Sequence, residues 1–312
     1  MHKLMIASAD GEQYRALIGQ AEPELEIAVF KADDPEGRAF AREMDALFTW
    51  SFPRELLVGA ERLRWIQSTG AGVDHIMAAR PLPPSVTVTR TIDVFGPAMA
   101  EYVLGYLFAA TLRIPRVVAH QRARRWEPFA APLLRGKTAV VVGLGNIGRE
   151  VCRTLRMAGL RVIGVSRGGR PIDQADEVMT VGRLDEALPK ADFLVLVVPL
   201  TSESRGLIDA RRLTLLPPHA WLVNIGRGAV VREPDLIAAL RDGGLGGAVL
   251  DVFEREPLPA DSPLWTLENV VVTPHLSGPD DVPTNAQRFL ENYRRFKAGQ
   301  PLEGVVDLER DY

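Results

Sequence analysis

Short apolar runs alternate along this chain with stretches in which apolar positions recur every three or four residues. The runs are rich in Val, Ile, Leu and Ala, which predicts strands buried on both faces. A first series covers residues 3–8, 25–30, 46–49, 65–68 and 86–89. A second covers 138–143, 161–166, 191–198, 221–225, 247–251 and 270–273. Strands that alternate with helical patterns predict α/β architecture with doubly wound parallel sheets. Two series predict two such domains. The first strand is expected to end in an Asp10-Gly11 turn.

Between the series lies a long helical pattern from Pro97 to about Arg125, with proline near its start as a first turn favours and Pro115 expected to kink or break it. Its residues Met99, Tyr102, Val103, Tyr106, Leu107, Phe108 and Ala110 are apolar over more than one face, so the helix needs burial on several sides. A second subunit is the expected cover, giving a homodimer. A last helix is predicted over 284–297, with Ala286, Phe289, Leu290, Tyr293 and Phe296 on one side and no later strands of its own to pack on. It is expected to return to the first domain. The predicted domains are therefore 1–96 plus 285–312, discontinuous, and 97–284.

At 312 residues the chain has room for two domains and a sizeable core. Its 46% apolar and 25% charged residues argue against disorder. The single cysteine, Cys152, excludes an intramolecular disulfide and any multi-cysteine metal site, and fits a reducing compartment. A net charge of −3 supplies no field that recruits nucleic acid or anionic membrane. The basic cluster Arg113, Arg116, Arg122, Arg124 and Arg125 reads as a solvated helix face or a subunit rim. The N-terminal apolar stretch is too short for an export signal, and 98–112 carries Glu101 and falls short of the ~18 apolar residues of a membrane span. The expectation is a cytoplasmic protein with no membrane, nucleic-acid or metal partner.

Gly143-Leu144-Gly145-Asn146-Ile147-Gly148 follows a predicted strand and opens a predicted helix. In such a turn the first glycine allows a tight bend and the second lets the backbone approach a pyrophosphate. The third packs the helix on the sheet. The phosphates then meet free N–H groups and the positive end of a helix. At the end of the next strand, where NAD-selective proteins carry an acid for the ribose, stand Ser166 and Arg167. A hydroxyl and a guanidinium there suit a 2′-phosphate, so NADP is expected, with NAD possible.

Three polar residues each lie just past a strand of the second series: Arg227 in Asn224-Ile225-Gly226-Arg227-Gly228, Glu256 in Glu254-Arg255-Glu256-Pro257, and His275 in Thr273-Pro274-His275-Leu276. Ligands of doubly wound sheets bind outside the carboxyl ends of the strands, so these groups can form one site. Taken singly, each also reads as a capping arginine, a solvated acid or a hydrogen-bonded loop histidine.

These blocks together closely resemble the D-isomer-specific 2-hydroxyacid dehydrogenases. The glycine turn, Pro199-Leu200-Thr201, 205–208, 224–228, 250–259 and 262–265 through Pro274-His275 occur in the family's order. Ser68-Thr69-Gly70-Ala71-Gly72-Val73-Asp74 is similar to its substrate loop. The resemblance implies a Rossmann-type dinucleotide-binding domain and a flavodoxin-like substrate domain, with the active site in the cleft between them. It implies that Arg227 forks onto the carboxylate and keto oxygen of a 2-ketoacid, that His275 is the general acid, and that Glu256 orients His275 and favours its protonated form. Backbone N–H groups at Ala71 and Gly72, with Trp50 nearby, are implied to bind substrate. Gly143, Gly145, Asn146, Ile147, Gly148, Ser166, Arg167, Pro199, Ser204, Ile225, Asp251 and Gly278 are implied cofactor contacts, Asp251 holding the nicotinamide carboxamide. Trp126 is implied to reach a partner subunit.

One departure from the family pattern, Val198 before Pro199, affects the adenine side. Within the family, the length leaves no room for the regulatory domain of long phosphoglycerate dehydrogenases or the extended start of formate dehydrogenases. The Ser166-Arg167 pair and Trp50-Ser51-Phe52 are similar to glyoxylate/hydroxypyruvate reductases. The expected reaction is NADPH-dependent reduction of glyoxylate or hydroxypyruvate. The alternatives are an NAD-linked dehydrogenase for a bulkier acid such as D-lactate, phenyllactate or a branched-chain acid, and a non-catalytic dinucleotide-sensing scaffold.

Overall fold

The computed structural model describes residues 1–31 and 35–309. The chain divides into two units, Met1–Val94 with Asp280–Tyr312, and Phe95–Pro279.

The first unit holds five parallel strands: β1 (Lys3–Ala7), β2 (Glu26–Val29), β3 (Ala46–Thr49), β4 (Trp65–Ser68) and β5 (Thr87–Arg90). Their order, β2-β1-β3-β4-β5, is the flavodoxin-like one. Central strands β3 and β4 are buried throughout, whereas edge strand β2 is partly wet. Strand β1 is followed by the expected turn, closed by the Gly11 N–H donating to the Ser8 carbonyl at 3.1 Å, and Gly11 at once opens a helix, Gly11–Ala21. A Cβ at Gly11 would crowd the Val29 side chain, which explains the small residue at that entry.

The last helix, Val282–Lys297, lies on this sheet. Its Val282, Ala286, Phe289, Leu290 and Tyr293 share a core with Leu4, Ile6, Tyr14, Ile18, Phe48 and Trp65. Trp65 and Phe289 stack with ring centroids 5.0 Å apart, and Phe48 leans on Phe289 at 4.8 Å. Aromatic pairs in this range add about 0.5–1.5 kcal/mol beyond their buried area. The helix starts two residues before Thr284 because Asp281 caps it, accepting from the Thr284 N–H and hydroxyl.

The second unit holds seven parallel strands: β6 (Thr138–Val142), β7 (Arg161–Ser166), β8 (Glu177–Thr180), β9 (Phe193–Leu196), β10 (Trp221–Asn224), β11 (Gly247–Leu250) and β12 (Val270–Val272). Their order is β12-β11-β10-β9-β6-β7-β8. Strand order reverses between β6 and β9, the point at which Rossmann sheets bind dinucleotides. Strand β8 was not expected. It is an edge strand paired only with β7, and only Met179 of its four residues is fully covered, so it carries no apolar run.

The expected long helix is two, Gly96–Thr111 and Ile114–Arg122, bent by 58°. The break falls at Arg113, whose φ of +52° is left-handed, and Pro115 sits in the first turn of the second helix. The first helix buries Met99, Ala100, Val103, Leu107 and Ala110 and packs on Asn146–Met157 within its own unit. The second buries nothing. Among the described residues no single helix is long and apolar enough to cross a membrane.

At the start of helix Asn146–Met157, a Cβ on Gly148 would overlap the Gly143 carbonyl. We expect Gly148→Ala to lower unfolding stability by about 1–3 kcal/mol, the usual cost of overpacking. An unchanged urea midpoint would show that the turn is looser than described.

Candidate active site

The loop after β10 carries Arg227. Asn224 shapes it, its Oδ1 accepting from the Gly226 N–H at 3.1 Å and its Nδ2 donating to the Arg227 carbonyl at 3.0 Å. The glycines on either side are dictated by packing. A Cβ on Gly226 would lie 2.7 Å from the Val198 carbonyl oxygen, and one on Gly228 would overlap the Phe253 backbone. Arg227 itself is half-buried, and its Nη1 donates to the Gly226 carbonyl at 2.8 Å.

Glu256 stands in the loop after β11. Its Oε1 accepts from the Phe253 N–H at 3.0 Å, and its Oε2 lies 2.8 Å from His275 Nδ1. Burial pushes the Glu256 carboxyl up, but the His275 and Phe253 hydrogen bonds and the charges of His275 and Arg227 outweigh it and hold the carboxyl below its usual range. The carboxylate only accepts, so Nδ1 carries a proton and Nε2 is the nitrogen left to exchange one.

His275 follows β12 at φ +51°, a left-handed conformation that costs a non-glycine residue about 1–3 kcal/mol. The surroundings enforce it. The Asp251 carbonyl accepts the His275 N–H at 3.0 Å. The fully buried Asp251 carboxylate accepts the Leu276 and Ser277 N–H groups at 2.9 Å each, and the Thr273 hydroxyl at 2.6 Å.

The glycine turn follows β6. Gly143 has φ +103°, and a Cβ there would overlap the Val197 carbonyl. Gly145 is different: its φ is ordinary, and a Cβ would meet nothing within 4 Å. No chain contact requires glycine there. Its bare backbone leaves open space before the helix that starts at Asn146, which is where a pyrophosphate fits. Asn146 is exposed and Ile147 half-buried beside it.

At the end of β7, Ser166 Oγ accepts the Gly169 N–H at 3.2 Å, and Arg167 Nε lies 4.0 Å from Glu203, both exposed. Ser204 is buried, its hydroxyl donating to the Pro199 carbonyl at 2.6 Å and accepting the Thr201 N–H at 2.8 Å. It holds the 199–204 loop in shape. Ile225 is buried below the Arg227 turn, and Gly278 lies against Met99 and Phe95.

The structure thus brings Arg227, Asp251, Glu256 and His275 together in the second unit, alongside the glycine turn. Trp50, Ala71 and Gly72 belong to the first unit. There the Trp50 and His75 rings lie 4.2 Å apart, and Ser68 Oγ accepts the Gly70 N–H and donates to the Gly72 carbonyl at 3.0 Å. Three residues that shape these loops were not singled out from sequence. Asn224 and Thr273 are the polar ends of apolar runs, a signal that could have found them. Tyr102, whose hydroxyl lies 2.6 Å from Thr273 Oγ1, sits in an apolar helix and offered none.

Residues 104–277 match the family model described as "D-isomer specific 2-hydroxyacid dehydrogenase, NAD binding domain". The chain belongs to that family. It is an NAD(P)-dependent oxidoreductase with the two parallel-sheet domains of D-2-hydroxyacid dehydrogenases. A family protein of Aeromonas salmonicida superposes on this dehydrogenase with a TM-score of 0.91 and 39% identity, over 98% of this chain and 99% of that one. The NADPH-dependent glyoxylate/hydroxypyruvate reductase of Sinorhizobium meliloti, solved with NADP and sulfate, gives a TM-score of 0.92 and 31% identity over all of both chains. Glyoxylate/hydroxypyruvate reductase A of Escherichia fergusonii is 33% identical over 94% of each chain.

The lowered Glu256 carboxyl sets a sign for stability. Its pairing contributes fully above the ordinary carboxylate range and is lost as pH falls through the lowered value. The melting-temperature gap between this dehydrogenase and Glu256→Gln should therefore be present near neutral pH and close as pH falls below the ordinary carboxylate range. A gap that ignores pH would remove the pairing.

Proposed function

We propose that this dehydrogenase reduces a small 2-ketoacid, glyoxylate or hydroxypyruvate, to the 2-hydroxyacid with NADPH as preferred reductant. The observation that carries the proposal is the His275–Glu256 pair beside the Arg227 turn, at the carboxyl ends of adjacent strands. The glyoxylate/hydroxypyruvate reductases among the relatives support the substrate class.

Bound NADPH supplies the hydride. Arg227 binds the substrate carboxylate and keto oxygen through its planar fork, a task lysine cannot imitate. His275 gives the keto oxygen its proton from Nε2, and Glu256 fixes the ring through Nδ1 and stabilises the imidazolium. In the first unit, the resemblance assigns substrate contacts to the backbone N–H groups of Ala71 and Gly72 and to Trp50. Ser166 and Arg167 favour NADP. The Ser166 hydroxyl, while accepting from Gly169, keeps its own hydrogen for a 2′-phosphate, and Arg167 supplies a cation.

Oxidation of NADPH and NADH should be compared over glyoxylate, hydroxypyruvate, pyruvate and phenylpyruvate. The expected result is a higher kcat/KM with NADPH and one of the two smaller polar acids. Preference for NADH and phenylpyruvate would favour the bulkier-acid alternative, and no turnover with any acid would favour a scaffold. Ser166→Asp with Arg167→Ala should raise KM for NADPH by roughly one to two decades, the equivalent of a charge-assisted contact of about 1.5–3 kcal/mol. NADH use should stay equal or improve.

We further propose a homodimer formed on the second bent helix. Ile114, Val117 and Val118, with Phe108 and Leu112 just before them, form an exposed apolar face, and Trp126 is 95% exposed. A face of this kind on a protein otherwise rich in surface charge calls for a partner, and a second copy is the partner always present. Light scattering should give twice the chain mass of 34.3 kDa at micromolar concentration. A monomer would sink the proposal.

A further inference from the structure

We infer that Tyr102 and Thr273 are positioning residues that aim His275 through a one-way chain of hydroxyls ending on Asp251. The inference rests on the reading of His275 as proton donor, and extends it to residues that touch neither substrate nor cofactor in that reading.

The direction of the chain follows from hydrogen-bond bookkeeping. Both Asp251 oxygens accept backbone N–H groups, Oδ1 from Leu276 and Oδ2 from Ser277. The side chain is therefore used as an acceptor at both ends. Thr273 Oγ1, 2.6 Å from Asp251 Oδ1, must then donate to it. A hydroxyl has one hydrogen. Having spent it on Asp251, Thr273 can only accept at its second contact, so the Tyr102 hydroxyl at 2.6 Å must donate to Thr273. Burial pushes the Tyr102 phenol up, which keeps that proton in place.

Each donor strengthens the next, because a hydroxyl that accepts a hydrogen bond is a better donor. The chain ends on the group that holds His275 in its left-handed conformation. Asp251 anchors the residue with its own carbonyl at His275 N–H and with its carboxylate at the two residues that follow. A strained residue persists only where its surroundings over-determine it. Without the Thr273 hydroxyl, a fully buried carboxylate is left short of a donor and is drawn toward any other, which loosens the 275–277 backbone and the 2.8 Å contact between His275 and Glu256. Helix Gly96–Thr111 thereby acquires a second task besides packing: it carries the hydroxyl at the head of the chain.

The test compares Thr273→Val, Thr273→Ser, Tyr102→Phe and the Tyr102→Phe/Thr273→Val double variant with a His275→Ala control, measuring kcat, KM for NADPH, and amide exchange over 275–278. Thr273→Val should lower kcat roughly 10- to 100-fold with a smaller rise in KM for NADPH, since His275 loses its aim while Asp251 keeps the Leu276 and Ser277 N–H groups. It should also speed amide exchange over 275–278. Thr273→Ser, which keeps the hydroxyl, should restore both readouts, which also shows that the site tolerates substitution. Tyr102→Phe should cost a few-fold in kcat, and the double variant should be no worse than Thr273→Val, because Tyr102 acts only through Thr273.

Independent, multiplying losses in the double variant would overturn the chain, as would a Thr273→Val protein that turns over normally beside an inactive His275→Ala. Full turnover by His275→Ala would instead overturn the proton-donor reading, and the catalytic purpose of the chain with it.

Discussion

Every strand in both sheets runs parallel to its neighbours, and the rest of the structure follows from that constraint. A parallel strand cannot return by a tight hairpin, so each pair is joined by a crossover, and the sheet needs cover on both faces. All strands of a unit then end on the same rim. In the second unit the loops after β6, β7, β9, β10, β11 and β12 leave from that rim. They carry the glycine turn, Arg167, Pro199, Arg227, Glu256 and His275 in that order. Residues far apart in the chain become neighbours without any long-range recognition beyond strand pairing.

Two acids on that rim show how burial divides labour. Glu256 is partly exposed and divides its oxygens between a side chain, the His275 ring, and one backbone N–H, that of Phe253. Asp251, five positions earlier, is fully buried and binds mainly backbone. A buried carboxylate is costly unless each oxygen finds donors, and Asp251 takes them from the loop after β12, at Thr273, Leu276 and Ser277. Satisfying Asp251 and folding that loop are thus one event, whereas Glu256 gives one oxygen to its own loop at the Phe253 N–H and the other to the His275 ring.

Much of this was legible in the sequence because buried parallel strands announce themselves as apolar runs. Eleven of the expected runs overlap β1–β7 and β9–β12, and the polar residues just past them mark the rim. Strand β8 was hidden because an edge strand with one covered residue has no such run. The break at Arg113 was placed near Pro115, but proline fits the first turn of the new helix, so the bend lies upstream. The two compact units divide at 94/95 and 279/280, with the capping Asp281 and its helix on the side of the first sheet. Arg227, Glu256 and His275 could be proposed from position and resemblance. Tyr102 could not, because its role depends on which face of an apolar helix meets the loop after β12.

The loop after β4 carries a constraint of a different kind. The Trp50 ring occupies the volume that a side chain at Gly70 would need, so any larger residue at 70 overlaps it. The reverse does not hold, since shrinking Trp50 harms nothing at Gly70. The two positions therefore form a ratchet in sequence space: position 50 must lose its ring before position 70 can gain a side chain, and once 70 has grown, tryptophan cannot return to 50. Divergence of this loop has a preferred order, and its first step is the residue that sits beside His75.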